Sequence, residues 1–131
     1  MKKLVTAALA LTLLFGSATG VFAATVPEIE PNNTWEQAQP ITIGSTITAH
    51  GDEDRFTFVA TKSGTVTLKI TLNGNPALFA SRVYDDQMNA LGESTFGGSI
   101  TFNVAAGRTY KLAHLELMSS GTPYSFTLSY N

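Results

Sequence analysis

The sequence predicts an all-β fold, an antiparallel β-sandwich or barrel of about eight strands. Two observations carry this prediction. From Ile41 onward, polar and apolar residues alternate with period two, which is typical of strands that bury one face. Segments rich in Gly, Asn, Asp and Pro interrupt this alternation at a spacing of roughly 8–12 residues, as turns between short strands do.

Thr65–Leu72 is the clearest predicted strand, because Val66, Leu68, Ile70 and Leu72 share one face while threonines and Lys69 occupy the other. The same alternation predicts strands at 55–59, 99–104 and 124–130, and their β-branched content favours strands over helices. The strand phenylalanines are predicted to fill the core: Phe56, Phe58, Phe79, Phe102 and Phe126.

One short segment near the N-terminus indicates a helical turn instead. Thr34 is suited to cap it and Pro40 to end it, so the predicted turn covers Thr34–Ala38. Trp35 is then expected to pack this turn against the sandwich.

Residues 1–23 resemble a secretory signal peptide. Lys2 and Lys3 are followed by the apolar run Leu4–Phe15, which is shorter than the ~20 residues of a membrane span. Val21 to Ala23 provide the small-residue cleavage pattern. We therefore expect cleavage after Ala23, a secreted, extracellular domain at 24–131 and no membrane span after cleavage; an uncleaved N-terminal anchor is the alternative.

The predicted domain is a small acidic unit. The formal charge of −2 for the whole chain becomes about −4 without Lys2 and Lys3. This charge argues against nucleic acid and anionic lipid as partners. The chain has no cysteine, so no disulfide supports the fold, and about 108 residues are enough to bury a core. We expect one domain and a monomer.

Acidic residues concentrate in two segments, Glu28 to Thr34 and Gly51 to Phe56. Glu28 and Glu30 are two residues apart, as are Asp52 and Asp54, so each pair shares a side of an extended chain. If the segments lie side by side, four carboxylates converge. Calcium prefers such oxygen ligands, whereas zinc prefers the nitrogen and sulfur ligands that are scarce here. A solvated tail beside a polar turn is the alternative interpretation.

Five motifs in order resemble the bacterial pre-peptidase C-terminal domain family, which is related to the collagen-binding module of bacterial collagenases. They cover nearly all of the predicted domain. The motifs are Glu28-x-Glu30-Pro31-Asn32-Asn33-Thr34, Gly51-Asp52-Glu53-Asp54-Arg55-Phe56-Thr57-Phe58, Gly64-Thr65-Val66-Thr67-Leu68, Ala106-Gly107-Arg108-Thr109-Tyr110 and Gly121-Thr122-Pro123-Tyr124-Ser125-Phe126.

The resemblance implies a jelly-roll-like antiparallel β-sandwich that is non-catalytic and calcium-stabilised. It implies a structural calcium site at the matching positions Glu28, Glu30, Asn32, Asn33, Asp52 and Asp54. The chain departs from the family's usual setting, because no peptidase domain precedes the module. A collagen-binding role is also disfavoured, since the stretch 112–117 has His114 and Glu116 where relatives have exposed aromatics.

No catalytic constellation stands out. Serines occur in no nucleophile-elbow motif, and His50 is best interpreted as a surface residue at a strand end. Glu93 and Glu116 lack any sign of a paired acid and base. The leading hypothesis is a binding module for an extracellular protein or polysaccharide. The alternative is a trans-acting accessory or maturation partner of a separately encoded secreted peptidase; an unrecognised small hydrolase is the third.

Overall fold

The computed structural model describes residues 24–131, so the predicted signal peptide at 1–23 lies outside the described residues. These residues form ten strands and a short 3₁₀ turn at Leu117–Ser119. The strands, in chain order, are β1 (Thr25–Pro27), β2 (Gln39–Pro40), β3 (Thr46–His50), β4 (Glu53–Val59), β5 (Gly64–Leu72), β6 (Phe79–Tyr84), β7 (Ala90–Thr95), β8 (Gly98–Val104), β9 (Thr109–Glu116) and β10 (Pro123–Tyr130).

Two five-stranded sheets face each other. Sheet A has the order β1-β3-β10-β5-β8, and sheet B has the order β2-β4-β9-β6-β7. The eight strands β3 to β10 pair antiparallel within their sheets and alternate between sheets except at the β6–β7 hairpin. This is the eight-stranded double-sheet arrangement of a jelly roll, so the predicted fold class is confirmed.

The core lies between the sheets and is dominated by the residues that the alternation assigned to the inner face. Rings from the two sheets meet there: Phe56 contacts Phe126 with ring centroids 4.9 Å apart, and Phe79 contacts Tyr124 at 4.8 Å. Five predicted core residues are buried: Phe56, Phe58, Phe79, Phe102 and Phe126. Residues 24–131 therefore contain a complete hydrophobic core.

The N-terminal part has two short strands that the sequence did not predict. The strands β1 and β2 are additional, and each pairs parallel with an edge strand, β1 with β3 and β2 with β4. They span three and two residues, too few to show an alternation.

The predicted helical turn at Thr34–Ala38 is wrong. Two successive turns occupy the segment, in which the Gln37 N–H donates to the Thr34 carbonyl at 3.1 Å and the Ala38 N–H to the Trp35 carbonyl at 3.3 Å. Gln39 then enters β2 at once, so the chain is too short for a helix to propagate. Within residues 24–131, no helix is long and apolar enough to cross a membrane.

Candidate functional site: an acidic cluster at one edge of the sandwich

The segment between β1 and β2 crosses from one sheet to the other and is fixed to both. On sheet A, the Glu28 N–H donates to the Thr48 carbonyl at 2.8 Å, and the His50 N–H donates to Glu28 Oε1 at 2.8 Å. On sheet B, the Arg55 N–H donates to the Asn32 carbonyl at 2.9 Å. These bonds place the first acidic segment beside the start of β4, where the second acidic segment lies.

Three carboxyl groups converge at this crossing. Oxygen atoms of Glu28, Glu30 and Asp54 all lie within 4.8 Å of one another. Asn32 is fully buried beside them, and its backbone N–H donates to Glu30 Oε2 at 3.1 Å. The side chain of Asn32 donates through Nδ2 to Glu28 Oε2 at 3.3 Å. The two acidic segments are therefore neighbours, as the sequence predicted.

The amide of Asn32 places its oxygen among carboxylates. The position of that oxygen is 3.2 Å from Asp54 Oδ1 and 3.0 Å from Glu30 Oε2. Three arrangements relieve this crowding of acceptors. The amide turns and donates N–H bonds to both carboxyl groups, a protonated Asp54 donates to the amide oxygen, or a cation lies between the oxygens.

Asp54 points inward from β4 and is fully buried. The Tyr124 hydroxyl donates to its Oδ2 at 2.5 Å. Burial is the largest cause that raises the pKa of Asp54, to about 10, and the neighbouring Asp52 carboxyl adds to it, against the opposing effect of the Tyr124 hydrogen bond. Without a cation, this carboxyl therefore holds a proton at neutral pH.

Asp52 and Glu30 extend the same electrostatic pattern. Asp52 Oδ1 is buried and has no hydrogen-bond partner within residues 24–131. Burial and then the charge of Asp52 raise the pKa of Glu30. The cluster is thus a set of hard oxygen atoms whose negative charges oppose one another, which can bind either protons or a hard cation.

The structure brings five of the six predicted site residues together: Glu28, Glu30, Asn32, Asp52 and Asp54. The sixth, Asn33, has an exposed side chain. Its backbone carbonyl instead accepts a hydrogen bond from Arg55 Nη1. Glu53 is exposed and pairs with Arg55 at 3.1 Å, as expected for a residue pointing to solvent. The metal assignment itself stays a prediction.

Glu116 is a buried functional group that the sequence argument missed. Its carboxylate accepts hydrogen bonds from the N–H groups of Ser120 and Thr122, both at 3.1 Å, and so fixes the turn before β10. It also packs against Gly51, where a Cβ atom would come within 1.7 Å of Glu116 Oε2. The signal was the period of β9: Leu112, His114 and Glu116 all fall on its inner face.

His114 is likewise buried, which corrects the placement of His114 and Glu116 at exposed aromatic positions. Its Nδ1 lies 2.8 Å from Ser81 Oγ, and burial lowers the pKa of the imidazole to about 3. The ring stacks on Phe79 and packs against Phe126, with centroids 6.0 and 4.6 Å away. Since Ser81 is 2% exposed, this pair forms part of the core.

The tyrosines and His50 complete the comparison. Tyr110 and Tyr124 are buried, whereas Tyr84 and Tyr130, whose sequence context suits either a half-buried edge or a binding face, are half-buried. His50 is exposed at the end of β3, as predicted.

Comparison with known proteins supports the fold. One similar solved structure is the pre-peptidase C-terminal domain of a collagenase from Bacillus anthracis, with a TM-score of 0.61 and 17% identity over 74% of this chain and 99% of that one. The fold is that of a pre-peptidase C-terminal domain. The resemblance found in the five sequence motifs is thereby confirmed at the level of the fold.

Two further solved structures are more distant. PliG from Aeromonas hydrophila, a periplasmic inhibitor of g-type lysozyme, has a TM-score of 0.48 and 20% identity over 83% of this chain and 97% of its own. A β-glucosidase from Paenibacillus barengoltzii has a TM-score of 0.37 and 11% identity over 79% of this chain, which spans 13% of the enzyme. No protein-family model and no curated protein sequence matches the chain.

Proposed function

We propose that the chain is a secreted, non-catalytic binding module whose acidic cluster holds a structural calcium ion. The observation that carries the calcium site is the convergence of the Glu28, Glu30 and Asp54 carboxyl groups around the buried amide of Asn32. The described residues bring no lysine or arginine into hydrogen-bonding contact with these three carboxyl groups. A cation would therefore supply the missing positive charge.

The donor set fits calcium. Calcium takes about six to eight oxygen ligands from carboxylates, amide and backbone carbonyls and water. Glu28, Glu30, Asp54 and the Asn32 amide oxygen supply such atoms, and the unpartnered Oδ1 of Asp52 adds another. Zinc fits less well, since it prefers nitrogen and sulfur ligands and the one buried histidine, His114, lies in the core.

The ion would act on stability. Bound at the cluster, it would favour the ionised form of Glu30 and Asp54, whose pKa values are raised first by burial and then by the neighbouring carboxyl groups. The same residues belong to two parts of the chain, the crossing segment and β4. Binding would therefore fasten the N-terminal segment to the sandwich and stabilise the folded state alone, by about 2.7 kcal/mol when free calcium is a hundred times its Kd.

The test is a thermal melt of the 24–131 domain in EDTA, in millimolar magnesium and in millimolar calcium. We expect a saturable rise in Tm with calcium that magnesium does not match. Glu30→Gln should remove most of the rise, whereas Glu36→Gln, the same change at an exposed residue, should keep it. An equal rise in both variants, or none in the parent protein, contradicts the calcium site.

The binding role is supported by the fold. The similar solved structure from Bacillus anthracis is a pre-peptidase C-terminal domain of a collagenase. Within residues 24–131, the Ser81–His114 pair is buried and forms part of the core. We infer an extracellular protein or polymer as the ligand, to be tested by retention of the domain on immobilised collagen, chitin and cell-wall polymer.

A partner in trans is the second candidate, because the similar domain belongs to a collagenase. In that case the module would assist a separately encoded exported peptidase. Co-purification with such a peptidase, and slower maturation of the peptidase when the module is deleted, would favour this role over polymer binding.

A further inference from the structure

A groove lies on the outer face of sheet B. It has a volume of about 250 Å³, is open to solvent and runs across β4, β9 and β6. Its floor is apolar, formed by Ala80, Ala113 and Leu115. Its sides carry Arg55 and Arg82 together with Glu53 and Tyr84. Leu115 is 45% exposed, which is high for a leucine in a central strand.

The strand register explains the shape of this groove. Ala113 of β9 pairs with Arg55 of β4 on one side and with Arg82 of β6 on the other, so all three side chains share a face. Adjacent strands are about 4.8 Å apart, which sets the backbones of the two arginines roughly 10 Å apart. Because alanine has a single methyl group, it leaves the space between the guanidinium groups open.

Both arginines form ion pairs with exposed glutamates, which a ligand carboxylate could displace. Arg55 pairs through Nη1 with Glu53 at 3.1 Å, and Arg82 through Nε with Glu93 at 2.9 Å. The two glutamates are 53% and 68% exposed, and solvent-exposed pairs of this kind contribute little to stability. A carboxylate from a ligand can therefore replace either glutamate at low cost.

Trp35 closes one end of the groove. Its ring lies 5.1 Å from the Arg55 guanidinium and 5.6 Å from Lys111 Nζ, and it contacts Tyr84 edge-on at 6.0 Å. These contacts occupy the Trp35 ring and restrict the position of the Arg55 guanidinium. The predicted packing of Trp35 against the sandwich is confirmed, on the outside of sheet B.

The face that holds the groove has a small excess of positive charge on a domain that carries about −4. Arg55, Arg82 and Lys111 share this face with Glu53 and Glu93, three cations against two acids, which leaves about +1. This local excess favours an anionic ligand that displaces one of the glutamates. The apolar floor between the arginines favours one that also carries an aliphatic group.

We propose that this groove binds an acidic segment of an extracellular protein, with an Asp or Glu carboxylate between Arg55 and Arg82 and a neighbouring aliphatic side chain on Leu115. The proposal rests on the proposed role as a binding module and names the chemistry of its ligand. A peptide fits better than an acidic polysaccharide, because the floor is aliphatic and the Trp35 ring is engaged by its own neighbours rather than free to stack on a sugar.

The probe is an array of hexapeptides in which Glu or Asp is flanked by Leu or Val, beside the same peptides with Gln or Asn. We expect the 24–131 domain to bind the acidic set and to ignore the amide set. Arg82→Gln should weaken binding at least tenfold. Arg108→Gln is the matched control, since Arg108 is equally exposed and pairs with Asp86 at 2.8 Å outside the groove.

Two further variants test the shape of the groove and the exchange of an ion-pair partner. Ala113→Leu should fill the floor and abolish binding with no change in net charge. Glu93→Gln should release Arg82 from its ion pair and tighten binding. Thermal melts of each variant confirm that the fold is retained.

Several outcomes would overturn the proposal. They are equal losses in Arg82→Gln and Arg108→Gln, equal binding of acidic and amide peptides, and binding of polygalacturonate but not peptides through Arg82. Failure here is separable from failure of the proposed function. If collagen, chitin or cell wall retains the domain and Arg82→Gln has no effect, the module binds elsewhere; if calcium gives no shift, only the metal site fails.

Discussion

The raised pKa of Asp54 predicts that the calcium-free domain loses stability as the pH rises. In the unfolded chain this carboxyl titrates near 3.8, whereas in the folded domain its pKa is about 10. Between these values the folded state binds a proton that the unfolded state has released. The contribution of Asp54 to stability is therefore greatest at the acidic end of this window and falls as pH increases, by up to about 1.4 kcal/mol per pH unit. Above about pH 6.5, where the buried His114 is neutral in both states, this slope is unopposed by the histidine.

Asp54→Asn isolates this effect. The amide oxygen can still accept the hydrogen bond from the Tyr124 hydroxyl, but the amide group cannot ionise. From pH 6 to pH 8 in EDTA, we expect the wild-type domain to lose up to about 3 kcal/mol relative to the variant, which corresponds to roughly 10–20 °C in Tm. At pH 8 without calcium, the variant should be the more stable protein.

Calcium should reverse the order of the two proteins. A bound cation favours the ionised carboxyl, so saturating calcium should remove the pH slope of the wild-type domain and leave the variant unchanged. The assay is urea unfolding at pH 6, 7 and 8, in EDTA and in calcium. Glu53→Gln, at the adjacent exposed position, is the control. Parallel pH slopes for wild type and Asp54→Asn in EDTA would refute the reasoning.

Two further predictions concern the buried residues near the cluster. Gly51→Ala should cost about 1–3 kcal/mol in urea unfolding, because the new methyl group would meet the Glu116 carboxylate; a cost below about 0.5 kcal/mol would contradict that packing. The pKa of His114 is lowered to about 3 by burial, so its contribution to stability is lost as the pH drops below about 6.5. In saturating calcium, where the opposing slope of Asp54 is removed, urea unfolding should therefore show a fall in stability below about pH 6.5, which His114→Gln should flatten and His50→Gln should leave unchanged; equal acid limbs in the two variants would contradict this role of His114.

The sequence predicted the strands well where their two faces differ in polarity. In β5, the predicted inner residues Val66, Leu68 and Ile70 are buried, and Leu72 at the end of the strand is partly buried against the core. The alternation fails as a guide where a polar residue lies on the inner face, as His114 and Glu116 do in β9. Their burial depends on partners remote in sequence, such as Ser81 and Thr122, and no local pattern identifies those partners.

The sequence predicted which residues form the acidic cluster, but it predicted their spatial arrangement only in part. The spacing of Asp52 and Asp54 placed both on one side of the chain, yet their proximity to Glu28 depends on the parallel pairing of β1 with β3. That pairing involves three residues and leaves no signature in the sequence. The exposed Asn33 shows the limit of transferring a motif, since it belongs to the matching pattern and its side chain lies outside the cluster.

Arg55 connects the acidic cluster with the groove on sheet B. Its backbone N–H binds the Asn32 carbonyl inside the crossing segment, and its guanidinium binds the Asn33 carbonyl while lining the groove. A cation that fixes the crossing segment would therefore also fix one of the two arginines proposed to hold a ligand carboxylate. Because coupling between two binding sites is reciprocal, calcium should tighten peptide binding by the same factor as the peptide tightens calcium binding. Equal peptide affinities in EDTA and in calcium would show that the two sites are independent, and that Arg55 is positioned by Trp35 and Glu53 alone.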